Sequence, residues 1–190
     1  MQPRQAKLQR EADFTGARLE TFGAVFVRHG LPGAVLAIVS WLYLFRDLDG
    51  FGGQFVADPQ SYGVGILVTL LLCNLYAWRA EGHWGWRQFG WVVYLGLLSL
   101  WEEWLFRVAL PDLMISVGAG LVLAVVVSNV LFGLLHYFTL RWRWQWCLGA
   151  AIGGLLLSRH FETHDNFALI VLFHWVGTFF NTPRLPSKSR

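Results

Sequence analysis

Long apolar runs alternate with short polar connections along this chain, and the runs carry few charges. Apolar stretches cover Leu31 to Phe45 (with a start that can reach back to Phe22), Tyr62 to Trp78 and about Phe89 to Leu110. Three more cover about Leu113 to Leu140, Trp146 to Ser158 and Phe167 to Asn181. A helix needs about 20 mainly apolar residues to cross the hydrocarbon core of a bilayer. The pattern predicts an all-α fold, a polytopic membrane bundle of about six transmembrane helices. The fifth run is short and holds Gly149, Gly153 and Gly154, which suits close packing inside a bundle. The segment Arg46 to Ser61, with Gly50, Gly52, Gly53 and Pro59, reads as the longest flexible connection. Arg4 to Glu20 has the weak pattern of a surface helix, and Thr182 to Arg190 reads as a disordered tail.

Composition strengthens this picture. Of 190 residues, 55% are hydrophobic and only 14% charged, with a mean hydropathy of +0.45. Soluble domains run at about 25% charged. Intrinsic disorder, a disulfide scaffold and an ordinary soluble enzyme are therefore excluded. Cys73 and Cys147 both sit in apolar runs, so no disulfide framework is implied. Eleven Trp suit membrane interfaces. The net charge of +3 comes from basic residues between apolar runs, which favours lipid headgroups over nucleic acid. With six spans, one side receives the N-terminal segment, the Arg79–Gln88 loop, the Thr139–Gln145 loop and the tail, with twelve basic residues. The other side holds three: Arg46, Arg107 and Arg159. Basic loops stay inside, so both termini are expected in the cytoplasm. The first 20 residues lack an apolar h-region, which predicts no cleaved signal peptide.

Some charges contradict their surroundings. The third run contains Trp101-Glu102-Glu103-Trp104-Leu105-Phe106-Arg107. An ionisable residue inside a span costs about 2.5–3.5 kcal/mol on insertion scales and is a functional candidate by default. On a helix, Glu103 and Arg107 stand at i,i+4 and can pair. Glu102 is rotated about 100° from Glu103. Glu103 with Arg107 can thus brace the helix while Glu102 faces a cavity as a general base or acid. The competing reading is an interfacial charge cluster inside an aromatic belt of Trp101 and Trp104. Against it, about 14 uncharged residues precede Glu102. The fourth run places Asn129, Phe132 and His136 on one helical face, and the sixth does the same for His174, Thr178 and Asn181. Taken alone, His136 reads more readily as a hydrogen-bonded packing residue than as a catalyst, and His174 reads equally as either. Together with Glu102 they form a constellation that requires a shared cavity. Glu102 and His136 are equidistant in sequence from Ala119. A hairpin there puts both about 25 Å from the turn and level with each other. A break at Pro111 would instead leave Asp112 to Ser116 as a turn and lower His136. His160 and His164 have the i,i+4 spacing of a metal pair, but their acidic neighbours predict a solvated loop. His29 and His83 lie at loop edges and carry little signal.

Three motifs resemble those of a known family. Glu102-Glu103-x-x-x-Arg107 is similar to its EExxxR motif, Phe132-Gly133-Leu134-Leu135-His136 to its FxxxH motif, and His174 to its third motif. The family is CPBP, the CAAX-prenyl endopeptidase and bacteriocin-processing intramembrane proteases, also called abortive-infection-like proteins. The resemblance covers roughly residues 88–182. It implies a four-helix protease core over 88–182; outside it the chain reads as a polar, basic N-terminal segment over 1–30, two accessory helices over 31–87 and a tail over 183–190. The activity implied is an intramembrane endopeptidase of the bacterial inner (cytoplasmic) membrane. Its substrate would be a membrane protein or lipidated peptide cut within or near the bilayer. By the same resemblance Glu102 and His136 activate a water. His174 stabilises the oxyanion with Thr178 or Asn181, because Thr178 stands where the family often has Asn. Glu103, Arg107, Phe132 and Asn129 support the site. No cofactor is favoured; if zinc is used, Glu102, His136 and His174 are the ligand set. The alternative function is a non-catalytic membrane peptide-binding or immunity protein of the same fold. A transporter using Glu102 as a proton site lacks the expected inverted repeat, and no Gly-x-Ser-x-Gly supports a serine protease.

Overall fold

A computed structural model describes residues 8–10, 19, 21–44, 59–81 and 85–186. Among them six helices form the fold: α1 (Phe22–Leu44), α2 (Pro59–Glu81), α3 (residues 86–116), α4 (Leu121–Thr139), α5 (Trp144–His164) and α6 (Phe167–Asn181). The expected helical bundle is what forms. Three of these helices are long and apolar enough to cross a membrane: Phe22–Leu44, Pro59–Ala80 and Leu121–Thr139. Of the two starts available to the first run, Phe22 is the one adopted, with Thr21 as the N-cap accepting from the Ala24 amide. Most of the Arg46–Ser61 loop, His83 and most of Arg4–Glu20 lie outside the described residues.

Helix α3 is the hub, packing against α1, α2, α4 and α6, while α5 packs on α4. Its buried face carries Trp91, Val92, Leu95 and Leu98, which meet Cys73 and Ala77 of α2 and Trp175 and Phe179 of α6. Buried indoles stitch these helices together. Trp175 Nε1 donates to the Val92 carbonyl at 2.9 Å, and Trp104 Nε1 donates to Ser40 Oγ on α1 at 2.9 Å. Trp104 therefore belongs to the interior and not to an aromatic belt. The outward faces are apolar instead: Leu36, Leu42, Leu67, Leu71, Val122 and Leu156 are all more than half exposed. Charges inside and aliphatic side chains outside are the arrangement of a protein solvated by lipid.

Two helices contain π turns, and each is followed by Leu-Pro. In α1 the turn is Phe26–Gly30 before Leu31-Pro32; in α3 it is Trp104–Ala109 before Leu110-Pro111. The amides of Leu31 and Leu110 bond five residues back, to the carbonyls of Phe26 and Leu105. A proline lacks an amide proton and clashes with the carbonyl four residues earlier, so the widened turn accommodates it. Phe106 O then accepts from Ser128 Oγ of α4 at 2.6 Å. Pro111 consequently does not end the third helix, which runs on to Ser116. The chain reverses over Val117–Gly120, where Gly118 takes φ +96°. That is the hairpin centred on Ala119, and it cuts the fourth apolar run at Leu121.

Three further expectations give way. The fifth run is not short: α5 continues through Arg159-His160-Phe161-Glu162-Thr163-His164 and stops at Asp165 in the left-handed region, φ 47°. The rings of His160 and Phe161 pack on Phe173 and Phe167 of α6, so His160 and His164 occupy helix and not a loop. Only part of the glycine cluster serves packing. A Cβ at Gly154 would meet Asn129 and Arg107, and one at Gly133 of α4 would meet the Cys147 carbonyl, whereas Gly149 and Gly153 face open space. Residues 182–186 are not a free tail. Gln88 Nε2 donates to Pro183 O, the Leu185 amide donates to Gln88 Oε1, and Trp91 Nε1 donates to Thr182 O. The buried Gln88 needs those partners.

Candidate active site

Glu102 and Glu103 sit at the last α-helical turn of α3 before its π turn, with 2% and 0% of their surface exposed. Their side chains diverge as adjacent helical positions must. Glu103 Oε2 meets Arg107 Nε at 3.0 Å across i,i+4, the brace expected from spacing. The same carboxylate has a second partner that spacing does not reveal: Oε1 lies 2.6 Å from His174 Nδ1. Glu103 thus ties the guanidinium of α3 to the imidazole of α6.

Glu102 is surrounded by histidines. Its Oε2 is 3.5 Å from His174 Nε2, and its Oε1 is 4.0 Å from His136 Nε2. The hairpin at Val117–Gly120 brings Glu102 and His136 level, as their equal distance from Ala119 requires. His136 donates Nδ1–H to the Phe132 carbonyl one turn earlier, at 2.9 Å, which leaves Nε2 as an acceptor facing Glu102. A separation of 4.0 Å between two acceptors is too long for a direct hydrogen bond and suits one water bridging both. His174 is held differently: its Nδ1 lies against a Glu103 carboxylate oxygen, which orients the ring with Nε2 toward Glu102.

Phe132 spaces these groups. Its ring stands edge-on to His136 at 4.6 Å and to His174 at 5.6 Å, and the Arg107 guanidinium lies over it at 4.6 Å. Asn129, fully buried, lies a turn away and donates to Val125 O and Ser158 Oγ, linking α4 to α5. Thr178 and Asn181 stand on later turns of α6. Asn181 is exposed, and among the described residues neither side chain hydrogen-bonds to the cluster.

One member of the cluster comes from outside the motifs. His29, in the π turn of α1 and 2% exposed, places Nε2 at 2.8 Å from Glu102 Oε1, with its ring 5.3 Å from that of His136. The sequence signal was available in Phe26-Val27-Arg28-His29-Gly30-Leu31-Pro32. A titratable residue one turn before a proline in an apolar run repeats the Arg107…Pro111 pattern.

His29, Glu102 and His136 offer ligand atoms within 4.8 Å of one another. Two imidazoles and a carboxylate, with both Nδ1 atoms engaged behind them, are a donor set that zinc accepts. The spacing is uneven for it. Neighbouring ligands on tetrahedral zinc with bonds of about 2.0–2.1 Å lie about 3.3 Å apart. The His29–Glu102 contact at 2.8 Å is that of a hydrogen bond.

A family model described as type II CAAX prenyl endopeptidase Rce1-like matches residues 83–180, more than half of the chain. The chain belongs to the Rce1-like family. At family level it is therefore a CAAX-protease-type membrane peptidase. No curated protein and no solved structure gives a significant match. The Rce1-like segment contains Glu102, Glu103, Arg107, Phe132, His136 and His174, while His29 precedes it.

Proposed function

We propose that this Rce1-like protein is an intramembrane endopeptidase that hydrolyses a peptide bond of a membrane-embedded or lipid-proximal protein. The observation that carries the reading is the 4.0 Å gap between Glu102 Oε1 and His136 Nε2, buried among apolar helices and flanked by a third group, His174. A water in that gap gives one proton to Glu102 as its oxygen attacks the carbonyl carbon, with its other proton held by His136. The carbonyl oxygen becomes an oxyanion and accepts from His174 Nε2–H, whose opposite nitrogen is anchored on Glu103. Glu102 then returns its proton to the amide nitrogen as the C–N bond breaks. Thr178 and Asn181 are the candidates for a second oxyanion donor, which substrate binding must bring into place. A zinc ion, if bound, would be held by His29, Glu102 and His136 and would supply Lewis acidity; Glu102 would then be a ligand and not a free base. The reading adopted uses no cofactor.

The substrate is a membrane protein or lipidated peptide, and the enzyme works in the inner (cytoplasmic) membrane. Its test is cleavage in proteoliposomes by wild type and by Glu102→Gln, against a pool of membrane-embedded and lipidated peptides, with and without chelator. Wild type is expected to release products, and the variant, folded to the same melting temperature, to lose at least about 100-fold of the rate. Chelator is expected to change nothing. If wild type binds a peptide without cutting it, and Glu102→Gln binds equally well, the non-catalytic binding reading replaces this one.

A further inference from the structure

We propose that the junction of α4 and α5 holds a binding site for the headgroup of an anionic phospholipid. The site lies outside the Glu102 cluster and does not depend on the peptidase reading. A cavity of about 450 Å³ opens there, lined by Arg10, Tyr137, Arg143, Trp144 and Gln145. That volume falls in the range of small-ligand sites, about 300–1,000 Å³. Two of the five lining residues are arginines and none is acidic. The Arg10 guanidinium lies over the Tyr137 ring at 4.0 Å. Arg143 donates from Nε to the Gln9 carbonyl at 3.2 Å, which fixes its guanidinium beside the cavity. Arg143 is also the N-cap of α5, in extended backbone and with no side-chain cap. The first amides of a helix have no partner within it. Those of Trp144 and Gln145 therefore add N–H donors at the positive end of the helix dipole. Guanidinium groups beside helix N-terminal amides are the donor set that phosphate oxygens accept from.

The backbone builds this cavity. The Arg10 amide donates to the Arg141 carbonyl at 2.7 Å, and the Arg143 amide donates to the Leu8 carbonyl at 2.8 Å. Buried Gln9 bonds the Leu19 backbone through both ends of its amide. Arg141 takes φ 58°, an uncommon backbone for a residue other than glycine. These contacts hold residues 8–10 against 141–143 and bring two arginines distant in sequence to one cavity. The occupant must carry negative charge and arrive from the bilayer. Trp144, Leu148, Ile152 and Leu156 are exposed at i,i+4 spacing and form one apolar track of about 18 Å down α5. Gly149 and Gly153 face open space on the same helix. An acyl chain lies along that track while its phosphate fills the cavity. A soluble anion or an acidic peptide makes no use of the track. Exposed Trp144 and Trp146 mark the interfacial depth at which headgroups sit. Trp142 lies between the clamped arginines and packs its ring on His136 at 4.6 Å, so the lipid seats against the segment that backs His136.

The test is native mass spectrometry of the full-length protein in detergent, titrated with phosphatidylglycerol or phosphatidylcholine. One phosphatidylglycerol per chain is expected to bind at least about fivefold more tightly than phosphatidylcholine, the value of one basic residue near an anionic lipid. Arg143→Gln should remove about that factor. Because Arg143 also bonds Gln9, Gln145→Glu is the second variant. An acid in the first helical turn suits the dipole, so the melting temperature should hold while phosphatidylglycerol binding falls about fivefold or more. Arg87→Gln, at an exposed position near the start of α3, removes the same charge and should leave binding unchanged. Equal affinity for the two lipids overturns the site, and so does wild-type binding by Gln145→Glu. An equal loss in Arg87→Gln would make the attraction diffuse and overturn it too. Inorganic phosphate at constant ionic strength should raise the melting temperature far less than phosphatidylglycerol does. An equal rise would make the cavity a free-anion site, and displacement of the lipid by an equimolar acidic peptide would make it a peptide site; either result overturns the proposal.

Discussion

At the scale of single residues, the site consists of two carboxylates with divided labour. Adjacent positions on a helix point about 100° apart, so one carboxylate can join a structural pair while the other meets a substrate. Glu103 is the structural one: its side chain is completely buried and paired with Arg107. Removing one member of a buried ion pair typically costs about 3–5 kcal/mol, because the other charge is left uncompensated. Arg107→Met is accordingly expected to destabilise the protein by about that amount in thermal or denaturant unfolding in detergent. The double variant Glu103→Gln/Arg107→Met should recover most of the loss, since it strands no charge. It should not recover peptidase activity, because Glu103 also contacts His174 Nδ1 at 2.6 Å. A double variant that regained both stability and activity would limit Glu103 to bracing.

At the scale of elements, the geometry depends on how closely helices approach. Gly133 on α4 lets that helix lie against the backbone of α5; a Cβ there would stand 2.7 Å from the Cys147 carbonyl and 3.1 Å from Ala151 Cβ. Backbone cannot swing aside as a side chain can. Gly133→Ala is therefore expected to cost about 1–3 kcal/mol of stability and to lower activity, because Phe132 and His136 flank the contact. Gly149→Ala, in open space within α5, is the control and should not lower the melting temperature. The elements also show what a sequence can disclose. Hydrophobic runs gave six helices, and the Ala119 symmetry put Glu102 level with His136, because both follow from helical rise alone. The i,i+4 pair of Glu103 and Arg107 was legible for the same reason. Contacts between helices were not. Spacing along one chain segment does not reveal that His174 reaches Glu103, or that His29 reaches Glu102 from a distant helix. Hydropathy also misjudged both ends of α5 and the fate of Pro111. It scores residues singly, whereas a π turn and the Ser128 hydroxyl together satisfy the backbone around that proline.

At the scale of the whole molecule, depth and orientation decide which substrates the site can meet. His29 lies within two turns of the start of α1, and His136 lies in the last turn of α4. The cluster therefore sits toward the end of the bundle that also carries Arg28, Arg141 and Arg143, and residues 182–186 return to that same end against Gln88. Twelve of the fifteen basic residues belong to the segments expected on that side. Basic juxtamembrane residues are retained in the cytoplasm during insertion, so this end should face inward and both termini with it. Reporter fusions measure this directly. A fluorescent protein at the C-terminus is expected to fold and shine, and alkaline phosphatase at the same point to stay inactive. A cysteine introduced at Val117, 79% exposed in the α3–α4 turn, should react with an impermeant maleimide from outside intact cells. If these signals are exchanged, the Glu102 cluster lies near the outer face. With the expected pattern, peptide bonds in the cytoplasmic half of a membrane segment, or just beneath a lipid anchor on that side, are those within reach of Glu102.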